Sequence, residues 1–151
     1  MSSTANPGYL LHHLSTALDR QSDLLLQERL DIGFSQFKIL MALKWHQGVQ
    51  QRQIAEYLGQ TEASVSRQIK LLHEAGLLTS KVSPTSKRER VTSLTEKGNK
   101  RADLAKDLLN QHFDALFGRL SPEQHDQYLQ ILNRMHEYAC RDNLHCKFNQ
   151  S

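Results

Sequence analysis

Residues 50–95 carry the pattern that most restricts the fold, because two short helical segments meet there at a tight turn. Apolar residues at helical spacing predict a first helix over residues 51–58, with its inward side formed by Ile54, Ala55 and Leu58. Gly59 suits the turn that follows, and Thr61 is a good N-cap for a second helix. That helix is predicted to run to residue 75, since Gly76 fits the left-handed position just past its end.

A β-hairpin is predicted directly after the second helix. Its strands are the β-rich segments Leu78–Ser83 and Arg88–Leu94, and turn-prone residues join them at Pro84-Thr-Ser-Lys87. Because strand side chains alternate, the two arginines of the second strand, Arg88 and Arg90, share a face with Thr92.

Positive charge is concentrated in the same region. Residues 50–95 contain seven Lys/Arg and four Asp/Glu, a net +3, and the rest of the chain is neutral overall. A net charge carried by one third of the chain predicts a surface that faces a polyanion. The alternative is a solvated basic loop.

The second helix of this region has a polar face with little bulk. At about 100° per residue, Val65, Ile69 and Leu72 point inward. The opposite face carries Ala63, Ser66, Arg67, Lys70 and Glu74. Such a face suits the major groove of DNA, where hydroxyls can contact phosphates or bases and an arginine can bind guanine O6 and N7. The alternative is an ordinary amphipathic surface helix.

The hairpin also suits nucleic acid. An arginine near its tip, where Lys87 lies, can enter a minor groove whose narrow A·T-rich stretches concentrate negative potential. The alternative is an edge-strand charge that prevents aggregation.

Helical patterns flank this region on both sides. A first helix is predicted over Tyr9–Arg29, and Asp31-Ile32-Gly33 ends it. Ser35 is predicted to cap a second helix that ends at Gly48. The inward stripe of that helix is predicted to be Phe37, Leu40, Met41 and Trp45.

Two further helices follow the hairpin. Thr95 is predicted to begin a long helix with apolar residues at steps of three and four. Ser121 and Gln124 can form a capping box for a final helix that reaches about Cys140. The predicted order is ααααββαα, a mainly α fold with a small β-hairpin.

The terminal helices carry more apolar surface than a lobe of this size can cover. Only 38% of the 151 residues are hydrophobic, yet these helices contribute Leu10, Leu11, Phe113, Phe117, Leu129 and Tyr138. Large exposed apolar patches usually mark association, so we expect a dimer.

Several classes of protein are disfavoured. No run approaches the ~20 apolar residues of a membrane span, and residues 1–8 lack the pattern of a secretory signal. Two cysteines do not make a disulfide framework. There is no phosphate-binding loop or nucleophile elbow, so we expect neither an enzyme nor a cofactor. A cytoplasmic protein without membrane contact is expected.

Four motifs resemble the MarR family of winged-helix transcriptional regulators. They are Gln53-Ile-Ala-Glu-Tyr-Leu-Gly59, Ala63-Ser-Val-Ser-Arg67, Leu72-His-Glu-Ala-Gly-Leu-Leu78 and Leu94-Thr-Glu-Lys-Gly98. The resemblance implies a homodimer with interlocking terminal helices, which binds palindromic promoter sites, usually as a repressor. It implies dimerisation helices over 1–33 and 96–142, a DNA-binding lobe over 34–95 and a tail over 143–151.

The family's DNA-contacting positions correspond to seven residues of this chain. They are Thr61, Ala63, Ser64, Ser66, Arg67, Lys70 and Arg88. Lys87 and Arg90 join this set because of their charge and their place in the hairpin. Members typically have an Asp-x-Arg pattern at the wing tip, where this chain has Ser86-Lys87-Arg88.

The resemblance also implies a signal that releases DNA, often a small phenolic or aromatic molecule. Peroxide-sensing relatives use a cysteine near the N-terminus, and here no cysteine precedes Cys140. A redox switch at Cys140 and Cys146 is an alternative, and so is a zinc site formed by His136, Cys140, His145 and Cys146. We expect no metal, because there is no close-spaced cysteine pair. The alternative from another class is a winged-helix adaptor that binds protein.

Overall fold

The computed structural model describes residues 6–46, 48–87 and 90–139. Within them the chain forms six helices and a three-stranded antiparallel sheet. The elements are α1 (Pro7–Leu30), α2 (Phe34–Trp45), β1 (Val49–Gln50), α3 (Gln51–Leu58), α4 (Glu62–Glu74), β2 (Leu78–Val82), β3 (Arg90–Leu94), α5 (Glu96–Phe117) and α6 (Pro122–Ala139). The predicted fold class, mainly α with a small β-hairpin, is confirmed.

The strand β1 was not predicted, so the order ααααββαα lacks one element. It pairs with β3 through Val49↔Thr92 and Gln50↔Val91, which gives the sheet order β1-β3-β2. A two-residue strand is too short to show alternation in sequence. Because β1 ends directly before α3, its pairing with β3 connects the hairpin to the start of α3.

The helix α2 is the centre of the core. It contacts α1, α3, α4, α5 and β3, and its residues 39–43 are all buried. A helix covered on several sides does not present a single apolar stripe. The predicted inward stripe was therefore wrong in part, because Trp45 is 50% exposed and Phe37 is only half-buried.

The start of α2 was also predicted wrongly. Its N-cap is Gly33, and Ser35 lies within the first turn. The carboxylate of Asp23 on α1 accepts a hydrogen bond from the Phe34 N–H at 2.7 Å, and Gln36 accepts one from the Gly33 N–H at 2.8 Å. Capping by a residue eleven positions away depends on how α1 packs, which local sequence does not show. The helix ends at Trp45, before Gly48.

The caps of the last two helices agree with the predictions. The Thr95 hydroxyl accepts from the Gly98 N–H at 3.0 Å, and Ser121 and Gln124 form a reciprocal capping box. None of the described residues of α6 is buried. Among the described residues, no helix combines the length and apolar character needed to cross a bilayer.

Candidate nucleic-acid interface

The two helices α3 and α4 meet at a tight, well-capped turn. Gly59 has a left-handed φ of +61° and ends α3, as predicted. The Thr61 hydroxyl accepts a hydrogen bond from the Ser64 N–H at 3.2 Å and so caps α4. The Gln51 side chain donates to the carbonyl of Glu62 at 3.5 Å. These local bonds fix the direction in which α4 leaves the turn.

The helix α4 turns its polar face outward, as the helical wheel predicts. Val65, Ile69 and Leu72 are buried in the core. On the predicted polar face, the residues Ala63, Ser66, Arg67, Lys70 and Glu74 are all exposed, and Thr61 is exposed at the N-cap. Ser64 differs from the other predicted contact residues because it is half-buried. It is therefore less accessible to a partner than Ser66.

Cations in this region divide into paired and unpaired groups. Arg52 binds Glu56 at 2.9 Å, a bond that raises the already high pKa of its guanidinium, and Lys70 lies 4.0 Å from Glu74. Among the described residues of the 50–95 region, four cations make no ion pair with another described residue: Arg67, Lys81, Lys87 and Arg90. All four are exposed, so they present the charge that is free to meet an anion.

The hairpin places cations on both of its faces. Val82 pairs with Arg90 and Lys81 pairs with Val91, so Lys81 and Arg90 point to opposite sides. Lys87 is exposed near the tip, and Arg88 lies outside the described residues. Lys81 was counted in the regional charge but not as a predicted contact. Only the strand register shows that it extends the basic surface to the second face.

A cavity of about 430 Å³ lies between α2, α3 and α5, and the residues that line it were not predicted from the sequence. Its lining combines aromatic rings with two lysines: Phe37, Lys38, Met41, Trp45, Tyr57, Leu58 and Lys106. The Lys38 Nζ atom also lies 4.9 Å from the centre of the Phe34 ring. Burial raises the pKa of Tyr57, so its hydroxyl remains protonated and neutral at pH 7. The cavity can accept an apolar ring and offers cations to an acidic group.

The residues considered for zinc or redox chemistry are mostly outside the described ranges. His136 lies on α6, and Cys140, His145 and Cys146 are among the residues that are not described. In the ranges that the structure covers, no three His, Cys, Asp or Glu side chains come together as a metal site.

A helix–turn–helix continued by a hairpin, with its basic surface on the second helix and the hairpin, defines a winged helix-turn-helix protein. The sequence profile of the MarR family matches residues 30–89, which include this unit up to the hairpin tip. Over residues 30–89 the chain is thus similar to the MarR family, a family of transcriptional regulators and not of enzymes. The resemblance found in the sequence is confirmed.

Individual relatives extend the likeness beyond that unit. The transcriptional regulator HosA of Escherichia coli O111:H- is 23% identical over 124 residues, which are 82% of this chain and 92% of HosA. Apo wild-type MarR from E. coli superposes with a TM-score of 0.82 at 21% identity, covering 89% of this chain and 98% of MarR, which shows the shared fold. The S. aureus MepR–DNA complex has a TM-score of 0.74 at 27% identity, covering 87% and 96%.

Proposed function

We propose that the protein is a transcriptional regulator that binds double-stranded DNA sequence-specifically as a homodimer. The observation that carries this proposal is the exposed face of α4, where Arg67 makes no ion pair with a described residue and lies one turn from the small residues Ala63 and Ser64. The relative MepR has been solved as a DNA complex, which supports the same use of the fold here.

In this proposal α4 enters the major groove with its N-terminal half. Arg67 reads guanine, Ala63 leaves room for the base edges, and hydroxyls contact phosphates or bases. The hydroxyl groups are those of Thr61, Ser64 and Ser66, and Lys70 adds a second cation. On the wing, Lys87, Arg88 and Arg90 contact the backbone or the adjacent minor groove.

The apolar surface of the terminal helices supports the dimer. On α1, Leu10 is 54% exposed, and on α6 Ile131 is 58% and Tyr138 is 78% exposed. Burying these side chains against a second copy would stabilise the assembly, so we assign dimerisation to 1–33 and 96–142 and DNA binding to 34–95. Two α4 helices about one helical turn apart, roughly 34 Å, would read a palindromic site.

The first prediction is the salt dependence of duplex binding. A duplex selected by the protein from a randomised pool should bind tightly at about 50 mM salt and about a thousandfold more weakly at about 200 mM, because several phosphates are neutralised. Titrations at four salt concentrations measure the salt slope, which is the slope of log affinity against log salt concentration. Sedimentation equilibrium of the same sample measures dimer formation. Absence of duplex binding at low salt would contradict the proposal and favour the protein-binding adaptor.

We further propose that an aromatic acid in the cavity of α2, α3 and α5 releases the DNA, so that the protein acts as a repressor. The aromatic lining can hold a ring, and Lys38 and Lys106 can bind its carboxylate. Such a ligand acts only if it binds the DNA-incompetent conformation more tightly than the DNA-bound one.

The second prediction compares benzoate with phenol as probes. Benzoate should raise the melting temperature and weaken duplex binding, and Lys106→Gln should reduce its affinity about tenfold, the effect of one charge-assisted hydrogen bond. The affinity for phenol, which carries no charge, should fall far less in Lys106→Gln. The control is Lys100→Gln, since Lys100 lies on the same helix but is exposed and binds Glu96 at 2.7 Å. Equal losses in both variants would exclude a carboxylate site at Lys106.

A further inference from the structure

The carbonyl groups just past the end of α4 are all bound by the first residues of α5. The Lys97 ammonium donates to the Ala75 carbonyl at 2.8 Å, and the Thr95 hydroxyl donates to the Gly76 carbonyl at 2.8 Å. The Thr95 N–H donates to the Leu77 carbonyl at 3.1 Å. These carbonyls lie at the negative end of the α4 dipole, where a cation such as Lys97 is favoured.

The same contacts begin α5. The Thr95 hydroxyl that donates to Gly76 also accepts the Gly98 N–H at 3.0 Å, so one oxygen joins the end of α4 to the start of α5. Gly98 packs so closely that a Cβ there would lie 2.0 Å from the Leu77 carbonyl oxygen. The two helix ends therefore have little room to shift relative to each other.

We propose that Thr95 and Lys97 are positioning residues that make α4 follow α5 as one body, and this rests on the proposed DNA-binding function. They touch no DNA themselves and act through the orientation of α4. The helix α5 is also tied to α2 through the Lys44–Asp103 ion pair and to the end of α1 through Arg101, which donates to the Leu30 carbonyl. The direction of α4 is thus set by the same helix that α1 and α2 hold.

Because α5 both lines the cavity and contacts the end of α4, a shift of α5 at the cavity can change the orientation of α4. Lys106 lines the cavity nine residues after Lys97 on α5, a distance of about 14 Å at about 1.5 Å per residue. A ligand that displaces α5 at Lys106 would displace the end of α4 as well, because hydrogen bonds to the carbonyls of Ala75, Gly76 and Leu77 join the two helix ends.

The third prediction tests this with Lys97→Met, which keeps the length of the side chain and removes its donor. Lys97 is exposed, so the variant should fold. It should bind the selected duplex about fivefold more weakly, less than the loss of a direct charged contact, because the hydrogen bond is exposed and acts only through the orientation of α4. It should bind a scrambled duplex nearly as the wild type does. Lys97→Arg should restore binding, and Lys100→Met, which removes a charge from the same helix, should have no effect.

The salt slope separates positioning from direct contact. A lysine that touches no phosphate leaves the slope unchanged, whereas a lost phosphate contact lowers it by about 0.9. A lower slope for Lys97→Met, or equal effects of Lys97→Met and Lys100→Met, would overturn the proposal.

Amide hydrogen exchange provides a test without DNA. The Gly76 and Leu77 N–H groups bond to His73 and Leu72 within the end of α4, and they should exchange faster in Lys97→Met than in Lys97→Arg. Equal exchange rates in the two variants would contradict the proposal that Lys97 holds the ends of α4 and α5 together, whether or not the protein binds DNA. Failure of the wild type to bind any duplex would instead count against the proposed function, while the exchange rates still decide the joint.

Discussion

Gly98→Ala is expected to lower the free energy of unfolding by about 3 kcal/mol or more, the upper part of the range for overpacked sites. The added Cβ would lie 2.0 Å from the Leu77 carbonyl oxygen and 3.3 Å from a methyl group of Leu94. Neither Leu77 nor Leu94 can move easily, since both are buried. In an unobstructed helix the same change would stabilise by about 1 kcal/mol, so the contact reverses the sign.

Denaturant unfolding of both proteins measures this difference. Lys100→Ala is the matched control, because it lies two residues further along the same helix and is exposed. Its unfolding free energy should stay within about 0.5 kcal/mol of the wild type. A Gly98→Ala protein as stable as the wild type would show that the ends of α4 and α5 are not in close contact.

Arg67→Ala is expected to remove about 1–3 kcal/mol of discrimination at one base-pair position of the selected duplex, because a bidentate contact to guanine is lost. Binding to other duplexes should fall much less. The measurement is the affinity for the selected duplex and for every single-base variant of it.

Lys87→Ala is the comparison for Arg67→Ala. Lys87 is exposed at the wing and should contact the backbone, so its loss should weaken all duplexes evenly and lower the salt slope by about 0.9. If both variants lost the same affinity on every sequence, the division into a reading helix and a positioning wing would be wrong.

Short-range signals predicted the helix–turn–helix well. Gly59 and Gly76 both adopt left-handed φ values of +61° and +72°, and Thr61 caps α4. The helix α3 spans Gln51–Leu58 as predicted. Turns and caps depend on residues only a few positions apart, so the sequence contains their cause. The outward direction of Arg67 follows in the same way from helical periodicity.

Other features depend on contacts between distant residues. The strand β1 exists because β3 offers it hydrogen bonds, and α2 is capped by Asp23 because α1 packs beside it. Trp45 is half-exposed at the mouth of a cavity that forms only when α2, α3 and α5 meet. No local pattern marks these residues.

The sequence alone therefore determined the helix α4, its polar face and the concentration of positive charge in the central third of the chain, because periodicity, caps and composition are local. Only the tertiary structure decided how that helix is held. The hydrogen bonds that join Thr95 and Lys97 to the end of α4 link residues 19 and 22 positions apart along the chain. The lysine-lined cavity likewise arises only from packing between α2, α3 and α5.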